Sequence, residues 1–114
     1  MKFFLDNNQI RPLYHATGNN GCIASNRITV DGQKIGYMYR EEPDKTFPDS
    51  GWRFFAGDES EEYTDNPDHF HIFNLNTICN YDESIIPYLD TPIGTAYILQ
   101  GQVFVKDESS NWMI

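Results

Sequence analysis

Residues 49–65 read DSGWRFFAGDESEEYTD, an aromatic run that continues directly into a run of acids. In an extended segment, alternation places Trp52 and Phe54 on one face and Arg53 and Phe55 on the other. The glycine and the carboxylates that follow are typical of a strand end and a solvated loop. The stretch therefore predicts an aromatic strand that carries one arginine and opens into an acidic loop.

Further strands are predicted from apolar runs and from turn signals. Asp31-Gly32 lies between two runs of β-forming residues, and such a pair is the strongest short-range signal for a hairpin. A second hairpin is predicted around Gln100-Gly101. The predicted strands are 22–25, 27–30, 34–40, 51–56, 95–99 and 102–106.

Helical spacing is found only in the second half of the chain. Apolar residues recur at intervals of three and four over 75–80, which predicts a short helix with Asn74 as its N-cap. A further turn or two is predicted to start at Asp82 or Ser84. Because hairpins dominate, the predicted fold is α+β: a mainly antiparallel sheet of about five or six strands, with one or two short helices inserted before the last hairpin.

The chain of 114 residues is long enough for one domain. Its 15% aromatic content supplies a substantial core for that length. Residues 1–20 have weak periodicity and several turn residues, so they are predicted to be an N-terminal arm. Residues 21–114 are predicted to form a single α+β domain.

The charge of the chain is concentrated in one segment. The formal net charge is −9, and residues 41–68 hold ten acidic and two basic residues, a net of −8. Such a segment repels nucleic acid and anionic membranes, and it attracts cations or basic proteins. The charge therefore argues against nucleic-acid and membrane partners; a purely solvated loop is the plain alternative.

The two cysteines, Cys22 and Cys79, form neither a metal pattern nor a disulfide framework. Both stand in apolar surroundings, so they are predicted to be buried free thiols in a reducing compartment. The apolar run at residues 3–5 is too short for the core of a signal peptide. A cytoplasmic location is the expectation.

The strongest candidate for a metal site is the segment 65–71, DNPDHFH. In an extended segment, His69 and His71 would point to one face, with aspartates nearby. A closed zinc site needs four ligands, and the third histidine, His15, lies in the arm. A solvated turn is therefore favoured, and no metal is predicted.

No phosphate loop, dinucleotide fingerprint or nucleophile motif is present in the sequence. Neither a cofactor nor a catalytic residue is therefore predicted, and the expectation is a protein that is not an enzyme. Arg53 is expected to pair with Asp49, Asp58 or Glu62, and so to anchor the acidic loop beside its own strand.

Several uncommon strings occur together in the chain. In order they are CIASNRI (22–28), GYMYREEP (36–43), DSGWRFFAGDESEEY (49–63), LNTICNYD (75–82), IPYLD (86–90) and PIG (92–94). Together they resemble a family of small bacterial domains that is grouped with the immunity proteins of polymorphic toxin systems, immunity-protein family thirty-three. The resemblance covers about residues 21–99 and leaves out the arm and the last hairpin.

The resemblance implies a non-enzymatic, cytoplasmic antidote that binds a toxin and blocks it. An acidic surface suits a basic toxin domain, because complementary charge speeds association. The residues predicted to bind the partner are Trp52, Arg53, Asp58, Glu59, Glu61, Glu62 and Tyr63. An alternative hypothesis is a small-molecule-binding or enzymatic domain in which Arg53, Tyr63, His69 and His71 line one pocket.

Overall fold

A computed structural model describes residues 2–108 and shows a single six-stranded sheet. The strands are β1 (Gly21–Ser25), β2 (Tyr37–Arg40), β3 (Asp49–Phe55), β4 (Phe70–Asn74), β5 (Ala96–Gln100) and β6 (Val103–Lys106). Their order across the sheet is β4-β1-β3-β2-β5-β6. Every neighbouring pair is antiparallel except β1 and β3, which run parallel. The predicted α+β class, with a mainly antiparallel sheet, is confirmed.

Short helices connect the strands. They are α1 (Asn26–Thr29), α2 (Glu61–Thr64), α3 (Leu75–Tyr81) and the 3-10 helices Asn7–Gln9, Pro67–His69 and Glu83–Tyr88. The predicted helix over 75–80 is α3, although the Asn74 side chain makes no capping bond. The Asp82 side chain accepts a hydrogen bond from the backbone N–H of Ser84 and so begins the last 3-10 helix. Helices therefore precede the last hairpin, as predicted, but four others, two α-helices and two 3-10 helices, lie earlier in the chain.

The hairpin predicted around Asp31-Gly32 is wrong. Residues 26–29 form α1, and the Ser25 hydroxyl accepts a bond from the N–H of Arg27 at its start. Gly32 has a φ of 77° and donates its N–H to the carbonyl of Ile28. A left-handed glycine ends helices as readily as it makes hairpin turns, so the same residue serves either structure. Because the Ser25 side chain caps the N-terminus of residues 26–29, this segment forms a helix and not a hairpin strand.

The core lies between one face of the sheet and the helices that follow β4. The alternation predicted for β3 is confirmed, because Trp52 and Phe54 are fully buried on this face. Their rings stack with centroids 5.9 Å apart, and the Trp52 indole donates to the carbonyl of Leu89 at 3.1 Å. Cys22 and Cys79 are buried free thiols in the same core, as predicted.

The predicted arm is bound to α3 by side-chain amides. Asn76 Oδ1 accepts hydrogen bonds from the N–H groups of Leu13 (2.8 Å) and Tyr14 (2.9 Å). Asn80 Oδ1 accepts from the N–H of Arg11 at 2.9 Å. These amides satisfy backbone groups of an otherwise irregular segment. Within residues 2–108, no helix has the length and apolar character needed to cross a membrane.

Candidate partner-binding surface

The centre of the site is a bulge in β3. Gly21 of β1 pairs with Asp49 of β3, and Ile23 of β1 pairs with Arg53 of β3. The two paired positions are therefore two residues apart in β1 but four residues apart in β3, which contains the extra residues of the bulge. Gly51 lies inside the bulge with a φ of 94°. A Cβ at that position would lie 2.2 Å from the carbonyl oxygen of Glu41. Only glycine allows both the backbone conformation and the close approach of the Glu41 carbonyl.

The bulge brings Arg53 back onto Asp49. Arg53 Nη1 and Nη2 donate to the two Asp49 oxygens at 2.9 and 2.7 Å, and Arg53 Nε donates to Glu41 Oε2 at 2.6 Å. Of the carboxylates predicted to pair with Arg53, Asp49 is confirmed. Asp58 instead pairs with Arg27 at 2.6 Å, and Glu62 makes no ion pair among residues 2–108.

Sequence reasoning missed Glu41 as a partner of Arg53. Tyr39 pairs with Arg53 across the β2–β3 ladder, so Glu41, two residues beyond Tyr39, lies on the same face and diagonal to the arginine. The alternation of side chains along β2 places Tyr39 and Glu41 on one face. This alternation identifies Glu41 as a partner of Arg53 only when the register between β2 and β3 is known.

The electrostatics of this triad follow from its hydrogen bonds. Burial acts to raise the pKa of Asp49, but bonds from Arg53 and from the N–H groups of Asp44 and Gly51 hold that pKa below its usual value. Burial acts to lower the pKa of Arg53, but Asp49 and Glu41 raise it. The arginine therefore stays charged although only 6% of it is exposed.

An open groove lies on the sheet face opposite the core. Its volume is about 570 Å³, and it is bounded by strands β1 to β4, Glu41 and the turn after α2. Tyr39 and Phe55 stack there at 5.8 Å, and Phe55 meets Phe70 edge to face at 5.7 Å. Ile72 on β4 is 58% exposed. Such a run of aromatic and aliphatic side chains on an exposed surface is typical of an interaction site.

The acidic helix α2 lies beside this groove. Ser60 caps it by accepting a hydrogen bond from the N–H of Tyr63 at 3.1 Å. Glu61 and Glu62 form its exposed first turn. Glu59 has a structural role, because its two oxygens accept from the N–H groups of Ala56 (2.8 Å) and Gly57 (2.9 Å). The loop therefore has a defined shape, with Glu61 and Glu62 turned to solvent.

The predicted partner-binding residues fall into three groups. Trp52 lies in the core and offers no surface. Arg53 and Glu59 hold the shape of β3 and its loop. Asp58, Glu61 and Glu62 are exposed, and Tyr63 is half-buried with its ring against Phe70 at 6.3 Å.

The four residues of the small-molecule hypothesis do not converge. Arg53 and His71 border the groove, but the His71 ring donates to Asn26 Oδ1 at 2.9 Å. Tyr63 and His69 stack on each other with centroids 3.9 Å apart, and His69 donates to the Tyr63 carbonyl at 2.7 Å. The two histidines are thus engaged by different partners. No group of three or more metal-ligating side chains occurs in the described part of the chain.

Cys22 and Cys79 lie in buried surroundings that make the thiolate, the nucleophilic form of cysteine, less favourable. Burial raises the pKa of Cys22 above its ordinary value. Burial, with the charge of Asp82, raises the pKa of Cys79 to about 12. A reactive cysteine needs a lowered pKa.

Comparison with known proteins gives one match. The family model described as the Immunity protein Imm33 domain matches residues 22–113, so it includes the last hairpin, which the sequence resemblance left out. Neither a curated protein nor a solved structure matches the chain. The matched region contains the whole sheet apart from the first residue of β1, and with it the bulge, the groove and α2. The chain belongs to the Imm33 family of immunity protein domains.

Proposed function

We propose that the chain is a cytoplasmic, non-enzymatic antidote that binds a basic toxin domain through α2 and the acidic loop around it. The family supports a role in toxin immunity. The observation that carries the finer proposal is the uncompensated charge of this surface. Glu61, Glu62 and Asp65 are exposed, and no ion pair among residues 2–108 includes them.

The charge has the properties of a docking surface rather than of a structural network. The ion pairs of the described chain use Arg27 and Arg53, and both arginines serve other carboxylates. The negative charges of the α2 carboxylates are therefore not neutralised by a basic side chain of the described residues. Such a field speeds the approach of a basic protein and discriminates against acidic ones.

The aromatic groove supplies the apolar part of the proposed interface. Charged rims contribute mainly to association rate and specificity, whereas desolvated aromatic anchors contribute most of the affinity. Phe55, Phe70 and Ile72 lie close enough to α2 for one partner to contact both surfaces. We expect residues of these two regions to be covered together in the complex.

The test is protection of a bacterial host against a toxin domain, sought first among the genes that neighbour the gene for this chain. The diagnostic variant is Glu61→Lys/Glu62→Lys, which reverses the exposed face of α2 and leaves the Glu59 hydrogen bonds intact. The matched control is Glu83→Lys/Glu108→Lys, which makes the same change of net charge at exposed positions elsewhere. Glu59 is left unchanged because its loss would distort the loop.

The α2 variant is expected to lose protection and to bind the purified toxin domain at least about tenfold more weakly at low salt. The control variant should protect like the native chain, and both should unfold at the native temperature. Full protection by the α2 variant would contradict the surface assignment. A purified toxin that the native chain neither binds nor inhibits would contradict the function itself.

A further inference from the structure

The triad of Arg53, Asp49 and Glu41 reaches the groove through Arg53 and Glu41, and it has an excess of negative charge. It combines one guanidinium, from Arg53, with two carboxylates, from Asp49 and Glu41. Asp49 is 1% exposed, and both of its oxygens accept bonds from Arg53 and from backbone N–H groups. The Asp49 charge is therefore fully compensated.

Glu41 carries the remaining charge. Only its Oε2 is engaged, by Arg53 Nε at 2.6 Å. Its Oε1 has no hydrogen bond from any residue between 2 and 108, and the side chain is 37% exposed. Burial, with a smaller contribution from the charge of Glu41, raises the pKa of the nearby Tyr39 to about 12, and the charge of Arg53 acts against this rise. Glu41 lines the groove, so its Oε1 is available to a ligand that binds there.

Aromatic rings form the wall beside this oxygen. Tyr39 and Phe55 are nearly parallel, with 17° between their planes, and Phe70 stands at 67° to Phe55. Ring faces attract cations, and a guanidinium gains most because it also stacks as a plane. Ile23 and Ile72 supply apolar contact for an aliphatic stem.

We propose that the groove is a receptor for one arginine side chain of the toxin, with Glu41 Oε1 accepting from the guanidinium and the rings of Tyr39 and Phe55 covering its face. This inference rests on the proposed function and names the chemistry that the partner presents. Lysine fits less well, since a compact and strongly hydrated ammonium gains less from stacking. Apolar residues beside the arginine would contact Phe70 and Ile72.

The charge around the groove favours this occupant. The α2 carboxylates lie beside the groove and would attract cationic residues that flank the inserted arginine. A phosphate-bearing or acidic ligand would be repelled by the same groups. A second copy of this acidic chain is disfavoured for the same reason, although its dimerisation would be visible in the test below.

The inference can be tested without the toxin. The probe is the blocked tripeptide acetyl-Leu-Arg-Leu-amide, titrated into the full chain labelled with ¹⁵N and followed by nuclear magnetic resonance. The matched probe contains citrulline in place of arginine, which keeps the shape and removes the charge. Glu41→Gln removes the carboxylate charge of the site, and Glu42→Gln is the control at the adjacent exposed position. Phe55→Leu, which keeps apolar volume but removes a ring proposed to cover the guanidinium, is a second diagnostic variant should Glu41→Gln unfold.

We expect saturable shifts at Arg53, Tyr39 and Phe70 with the arginine peptide. The citrulline peptide and the Glu41→Gln and Phe55→Leu variants should each bind at least about fivefold more weakly, and Glu42→Gln should bind like the native chain. The proposal is overturned if the native chain shows no saturable shift, if citrulline binds equally, if the shifts lie on another surface, or if the groove signals change only with dimerisation. Because the peptide titration contains no toxin, its failure would overturn the arginine receptor alone, whereas the protection assay tests the antidote function independently.

Discussion

Arg53 binds the carboxylate of Asp49 with two parallel hydrogen bonds, although the two residues lie four positions apart in one strand. In a regular strand that spacing would separate their Cα atoms by about 13 Å. The bulge at Gly51 shortens the path, and the Ser50 hydroxyl, which donates to the Gly21 carbonyl at 2.6 Å, fixes the bulge to β1. Within the described residues, no buried side-chain N or O atom lacks a partner. The Arg53–Asp49 pair at the centre of the sheet therefore exists only because β3 is bulged at Gly51.

Replacement of Asp49 by Asn should destabilise the chain strongly. The substitution leaves a buried guanidinium with only Glu41 as its ionic partner, and breaking a buried pair costs about 3 kcal/mol. Asp58→Asn is the matched control, since the Asp58–Arg27 pair is exposed and its loss should change stability little. Urea unfolding at neutral pH measures both. Equal stabilities for the two variants would show that the buried Asp49 pair contributes no more than the exposed Asp58 pair.

Stability should also fall in acid through the same carboxylate. The pKa of Asp49 is lower in the folded chain than its unfolded value of about 3.9. A lowered pKa means that the stabilisation is complete well above pH 4 and is lost as the pH falls through the folded pKa. The difference in unfolding free energy between the native chain and Asp49→Asn should therefore shrink as the pH is lowered from about 5 to 2. A difference that stays constant over this range would contradict the assignment.

Gly51 should tolerate no side chain. Alanine at a φ of 94° is strained, and its Cβ would lie 2.2 Å from the backbone oxygen of Glu41. We expect Gly51→Ala to cost about 3 kcal/mol or more. Gly101→Ala is the control, because Gly101 also has a positive φ, of 66°, but has open space around it. Its cost should be about 1 kcal/mol, from backbone strain alone. Thermal unfolding that ranks the two variants in the reverse order would argue against the tight contact.

The strands that could be predicted from sequence are those that show alternating side chains or a turn signal within a few consecutive residues. The alternation of Trp52 and Arg53 on β3 follows from the pleat, and so does the last hairpin around Gly101. The Asp31-Gly32 prediction failed because a left-handed glycine ends α1 just as it would close a hairpin. The N-cap at Ser25 is also a local sequence signal. It favours a helix after Ser25, whereas Asp31-Gly32 favours a hairpin, and only the second signal was used for the prediction.

The candidate site could be predicted only in part. The acidity of α2 is a property of the sequence, and it is exposed as expected. Glu41 could not be found, because its contact with Arg53 depends on how β2 is registered against β3. Trp52 was expected near the partner because aromatic residues are common in interfaces, but the same property suits a core, and the indole bond to Leu89 holds it there.

The two cysteines should be inert in the folded chain. Thiolate is the reactive form, and burial raises the pKa of both thiols. Labelling with a coloured aromatic disulfide at pH 8 should therefore be slow in buffer and complete for both cysteines in denaturant. Gln33→Cys, at an exposed position, provides a control thiol that should react at once. Rapid labelling of Cys22 or Cys79 in the native chain would show that the core opens.

The N-terminal segment should be released by a single substitution in α3. Asn76 accepts bonds from Leu13 and Tyr14 and donates to the carbonyl of Arg11 at 2.9 Å, so its amide holds three backbone groups. Asn76→Ala removes these bonds, whose net value is about 2 kcal/mol, or roughly 30-fold in the local opening equilibrium. Chymotrypsin cleavage after Leu13 or Tyr14 should accelerate by that factor, because cleavage of a rapidly reclosing segment follows the open population. Thr77→Ala, on the same helix and without a side-chain bond to residues 11–14, should leave the rate unchanged; identical rates for the two variants would mean that other contacts hold the segment.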